Sequence, residues 1–150
     1  MYSLVTSSRI LNRIILQVQA VVKLTILLHK RVLSATLSPD APERDDSTLD
    51  RLARLSAKLL PASDDLISSL YAPQQPSIIS PYLTVFLDVI KDIQSTLLPP
   101  PKDLDQQLGS LSLSKPTNDK SSKWFTTCFE QLDKAATKVS ETLAEKEAPI

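Results

Sequence analysis

A single glycine, Gly109, occurs in a chain of 150 residues. Sheets turn at tight hairpins, and those turns lean on residues that tolerate positive φ, glycine above all. A chain this poor in glycine has few places to reverse a strand. Eleven prolines fall mostly between apolar runs, with Pro61 and Pro81 the exceptions. The reading is an all-α protein, an antiparallel bundle of four to five helices separated by proline-containing loops. The length fits one domain, residues 1–150, burying roughly two thirds of its unfolded surface.

The apolar spacing places the helices. The first runs from about Ser8 to Leu37 without glycine or proline. Its main stripe is Ile10, Leu11, Ile14, Ile15, Val18, Val21, Val22, Leu28, Val32 and Leu33, at three- and four-residue steps. A membrane span needs about 20 apolar residues with few charges. Arg13, Gln17, Gln19 and Lys23 interrupt this run, which therefore reads as a packed helix rather than an anchor. After a loop at 38–47 (SPDAPERDDS), a second helix starts near Ser47 or Thr48 and carries Leu49, Leu52, Ala53, Leu55, Leu59 and Leu60. Pro61 should kink or break it, with a restart at Ser63. There a side-chain oxygen and the carboxylates of Asp64 and Asp65 would meet the positive start of a helical turn. Tyr71-Ala72-Pro73 should end that turn, because a residue before proline avoids helical geometry.

A third helix follows Pro76, with Ile78, Ile79, Tyr82, Leu83, Phe86, Leu87, Ile90, Ile93 and Leu97 on one face and Asp88, Lys91 and Asp92 opposite. Pro81 fits its first turn. The pattern then stops. Residues 99–122, rich in Pro, Ser, Lys and Asp, read as a mobile linker. In it Ser110, Ser112, Ser114 and Thr117 could accept phosphate close to the last helix, or be ordinary loop residues. That helix holds Phe125, Cys128, Phe129, Leu132, Ala136, Val139 and Leu143 on one face. Glu130 and Lys134 form a favourable pair four apart on the other.

Net charge is zero but unevenly spread. Residues 1–39 carry Arg9, Arg13, Lys23, Lys30 and Arg31 with no acid, giving +5, and the remainder carries −5. No dense basic patch with interleaved aromatics occurs, so nucleic-acid binding is not expected. Catalysis finds no constellation either. The one histidine, His29, sits beside Lys30 and Arg31, and a nucleophile needs a positioned base. Asp45 with Asp46, and Asp64 with Asp65, are adjacent pairs whose side chains diverge on a helix. Metal binding needs several converging ligands, and no glycine-rich phosphate loop exists. The expectation is a non-enzyme without cofactor or metal. Cys128, the lone cysteine, lies on an apolar face and reads as a buried inert thiol in a reducing compartment.

One irregularity marks the first helix. Leu16, Leu24 and Leu27 fall on the face otherwise held by Arg9, Asn12, Arg13, Lys23 and Lys30. Three leucines within three turns of a wet face point to a second contact surface. A central helix covered on two sides by its own bundle would give the same pattern.

Two stretches resemble a known family. SDDLISSLYAPQQ, Ser63 to Gln75, and KWFTTCFEQLDKAATKV, Lys123 to Val139, are similar to segments of the GCIP proteins, helical proteins first named for interacting with D-type cyclins. The matching positions are Asp64, Asp65, Leu66, Ser69, Leu70, Tyr71, Pro73 and Gln74, then Trp124, Phe125, Cys128, Gln131, Asp133, Lys134 and Ala135. Read from their spacing alone, these residues pack and cap. The resemblance covers most of residues 10–148 and implies the C-terminal helical half of the family. It implies a protein partner, cell-cycle or transcriptional regulation, and a place in cytoplasm and nucleus. Family members are usually longer, with another helical half ahead of this one. On that basis Leu16, Leu24 and Leu27 face that half, a helical partner or a second copy of the chain.

Two other readings come from the basic N-terminus. An acid-poor, Arg- and Ser-containing amphipathic start could be a mitochondrial transit peptide on a small helical matrix protein. The same helix could lie on an anionic membrane surface. Both ask this segment to leave the core, whereas the bundle reading makes it the longest core helix.

Overall fold

A computed structural model describes residues 2–39, 44–71, 75–98 and 117–147. Among these the chain forms four helices and no strand: α1 (Tyr2–Leu37), α2 (Asp46–Ser68), α3 (Pro76–Leu97) and α4 (Thr117–Glu147). The all-α expectation holds. One core joins all four helices. It is built by Ile14, Val18, Val21, Leu28 and Val32 from α1, Leu52, Leu55, Leu59 and Leu66 from α2, six residues of α3 centred on Phe86, and Phe125, Phe129, Leu132, Val139 and Leu143 from α4. Every position predicted for the buried face of the last helix is buried.

Long contacts between α1 and α4 fix their direction. Arg13 reaches Thr142 and Glu145, while Arg31 stacks its guanidinium 5.6 Å from the Trp124 ring centroid. Moving down α1 therefore means moving up α4, so the pair is antiparallel. The neighbours form a ring in which α1 packs closely on α4, α2 on α3, and α3 on α4. Backbone contact between α1 and α2 is sparse, and the diagonal pairs do not approach among the described residues. The bundle is thus two tight pairs joined mainly through α3 and α4.

Several boundaries differ from the sequence expectation. Helix α1 begins earlier, at Tyr2. Helix α2 begins at Asp46, because Asp45 supplies the cap: its carboxylate accepts from the Thr48 backbone N–H at 3.3 Å and from the hydroxyls of Ser47 and Thr48. More importantly, α2 does not break at Pro61 but runs on to Ser68. Pro61 and Ala57, whose carbonyl loses its helical donor, are both exposed, so water can satisfy the freed acceptor. Ser63 is consequently no cap. Its hydroxyl donates to the Leu59 carbonyl at 2.7 Å. The helix ends three residues before Tyr71, and the Ser69 N–H that follows closes on the Asp65 carbonyl at 3.0 Å.

Pro76 rather than Pro81 occupies the first turn of α3, and Pro81 lies inside that helix on its exposed side. The last six positions of the expected linker, 117–122, are helical. The rest of that linker, including Ser110, Ser112 and Ser114, lies outside the described residues, as do Pro73 and Gln74.

Candidate protein-interaction surface

Helix α1 turns one face into the core and leaves a second in water. Around the inward stripe of Ile14, Val18, Val21, Leu28 and Val32, the flank toward α4 carries Arg13, Gln17, Leu24 and Arg31. Leu24 is partly buried and packs against the core, so it belongs to the bundle rather than to a free face. Leu16 and Leu27 remain 64% and 54% exposed. The three leucines singled out by the sequence therefore divide into one packing residue and two uncovered ones. The reason is angular. At about 100° per residue, position 24 rotates toward α4, while 16 and 27 point directly away from the core.

A groove of about 620 Å³ follows the outer edge of the α1–α4 junction. Arg13, Leu16, Ala20 and Leu24 form one wall, and Gln131, Lys134, Lys138 and Glu141 are among the α4 residues of the other. Arg13 bridges its end to Glu145 at 2.6 Å, through side chains about half exposed. Such a pair is screened by solvent and contributes little to stability. Arg9, Lys23 and Lys30 form no ion pair among the described residues, and all three are exposed.

The family-like stretches sort by burial. Leu66 is fully buried and Leu70 packs on the core, while Asp64 and Asp65 are exposed on α2. Tyr71 is 73% exposed, although its neighbours' pattern read as packing. On α4, Phe125 and Cys128 are buried, and Trp124 meets Phe125 edge to face with centroids 5.4 Å apart. Asp133 and Lys134 are exposed.

Burial pushes the Cys128 thiol up, away from the thiolate that a nucleophile requires. His29 Nε2 is buried without a hydrogen-bond partner. Among the described residues no group of His, Cys, Asp and Glu could hold a metal ion.

The family comparison matches residues 8–95 to the model described as Grap2 and cyclin-D-interacting, C-terminal. That span is more than half of the chain. The chain belongs to the GCIP family, in its C-terminal part. The match takes in most of α1, all of α2 and nearly all of α3, including the first GCIP-like stretch, and stops before the Trp124 stretch on α4. No curated protein and no solved structure matches this GCIP chain.

The packed-helix reading of α1 rests on its core contacts rather than on its composition. By length and composition, Ser8–Leu37 is apolar enough to cross a membrane despite its five basic residues. In the fold, its inward stripe is instead a wall of the bundle core. What sequence reasoning missed was a set of apolar residues expected inside and found outside. Ile15, Leu33, Leu49 and Leu60 are all exposed. Their common signal is position on the edge of an apolar stripe rather than at its centre.

Proposed function

We propose that this GCIP-family chain is a non-enzymatic protein-interaction module that receives another protein on the outer face of α1. The observation that carries this is Leu16 and Leu27, uncovered amid Arg9, Lys23 and Lys30 on a helix whose other face is locked into the core. An exposed apolar patch rimmed by charge is the usual form of a protein-docking surface. The family description names a D-type cyclin as what its members interact with. A cyclin-class partner and a regulatory role in cytoplasm and nucleus are the finer reading. The raised Cys128 thiol weighs against a cysteine nucleophile. The contribution of α1 to the core weighs against its removal as a transit peptide.

The test is binding of a purified D-type cyclin to the immobilised chain, wild type against the Leu16→Lys/Leu27→Lys variant. The expected result is saturable binding that the double variant weakens by at least about tenfold, or ~1.4 kcal/mol, with an unchanged circular dichroism spectrum. Equal binding by both proteins would move the contact off α1. No binding by wild type would end the cyclin reading.

A further inference from the structure

The sparse junction between α1 and α2 is a second surface, with its own chemistry. On α1 the contacts of Arg13 and Arg31 mark the flank that faces α4. The opposite flank therefore faces α2, and it carries Ile15, Ile26 and Leu33, all exposed. These positions lie within about 20° of one another at 100° per residue. With α2 antiparallel to α1, as the short connection between them directs, the right-handed winding puts Leu49, Leu60 and Ile67 on the flank that faces α1, again within about 20°. They too are exposed, Leu60 at 67%. Six large apolar side chains thus border one seam that the two helices do not close.

The rims of the seam are charged with opposite sign. Beyond Ile26 on α1 come Lys30 and Lys23, and beyond Leu60 on α2 come Asp46, Asp50 and Asp64. All five are exposed and form no ion pair among the described residues. We propose that this seam receives an amphipathic helix of another protein, whose apolar stripe fills the gap, whose acidic edge lies along α1 and whose basic edge lies along α2. The inference rests on the interaction-module reading but names a different surface and a partner of definite charge pattern. A second copy of this chain fits less well. Its own seam-facing flanks are segregated one sign to a helix, so neither α1 nor α2 carries an acidic edge and a basic edge about one apolar stripe.

The probe is a fluorescent synthetic helix of about 20 residues with a leucine stripe, glutamates on one edge and lysines on the other. A control has the same composition with the edge charges mixed. Both are titrated into the full chain at low and physiological salt. The expected result is that the probe binds at least about tenfold more tightly than the control at low salt, with the gap narrowing as salt screens the rims. Lys23→Glu/Lys30→Glu should erase that preference while leaving the fold intact. Methyl resonances of Ile15, Ile26 and Ile67 should move on binding, and that of Ile78 on α3 should not. Equal affinity of probe and control, or shifts centred on Ile78, would overturn the proposal. So would self-association of the chain, without probe, that Leu60→Asp abolishes. If the cyclin binds through Leu16 and Leu27 while the probe does not bind, the module reading stands and the seam falls. If the probe binds as described and no cyclin does, the seam stands and only the cyclin reading falls.

Discussion

At the scale of single residues, Asp45 shows how a local charge sets a boundary. Hydrogen bonds from Ser47 and then Thr48 hold its carboxyl below the ordinary aspartate range. A carboxyl whose folded value is depressed stabilises the fold fully above its unfolded value, and that contribution is lost as pH falls through the folded one. The start of α2 should therefore loosen only in acid, beginning below about pH 4. The Thr48 amide resonance, followed by pH titration, should report a midpoint below the ordinary aspartate value. Asp45→Asn should keep a neutral cap and remove that titration. The expected start near Ser47 or Thr48 moves to Asp46 because four side chains that can cap, Asp45 to Thr48, stand side by side, and only geometry decides which of them accepts.

At the scale of elements, the prolines are where sequence rules and structure part. The apolar spacing of α2 continues across Pro61 through Leu59, Ala62 and Leu66, all buried. Burial of that stripe outweighs the lost hydrogen bond, so the helix does not restart at Ser63. A proline inside a helix costs about 3 kcal/mol, offset in part by a stiffer unfolded chain. Pro61→Ala should accordingly raise stability by about 2 kcal/mol, measured by urea denaturation with an unchanged slope. A loss of stability would mean that α2 needs proline at position 61 to follow α3. Helix existence was readable because stripes of this length have no other use. Helix continuity was not, since the competing terms are nearly equal and tertiary contacts settle them.

At the scale of the whole molecule, the centre of each apolar stripe was legible and its edges were not. Ile14 and Val18 could be placed from spacing alone. Leu24 could not, because whether an edge residue is covered depends on which neighbour comes close. The close α1–α4 pair covers Leu24, and the open α1–α2 pair leaves Leu60 bare. Lysine substitutions should separate the covered edge from the bare outer face. Leu24→Lys should lower stability by about 2 kcal/mol, whereas Leu16→Lys and Leu27→Lys should each stay within about 0.5 kcal/mol, by thermal or chemical denaturation. Equal losses at all three would mean that the outer face of α1 is packed after all.

The antiparallel pairing of α1 with α4 joins positions more than a hundred residues apart, as in the contact of Arg13 with Thr142. On a ribosome, α1 is made first and its covering partner last. At ordinary synthesis rates the wait is on the order of ten seconds, with only α2 and α3 available to shield the inward stripe. During that interval the inward stripe of the longest helix is open to chaperones that hold unfolded chains. The protein's yield in the cell therefore depends on them before it depends on the stability of the finished bundle.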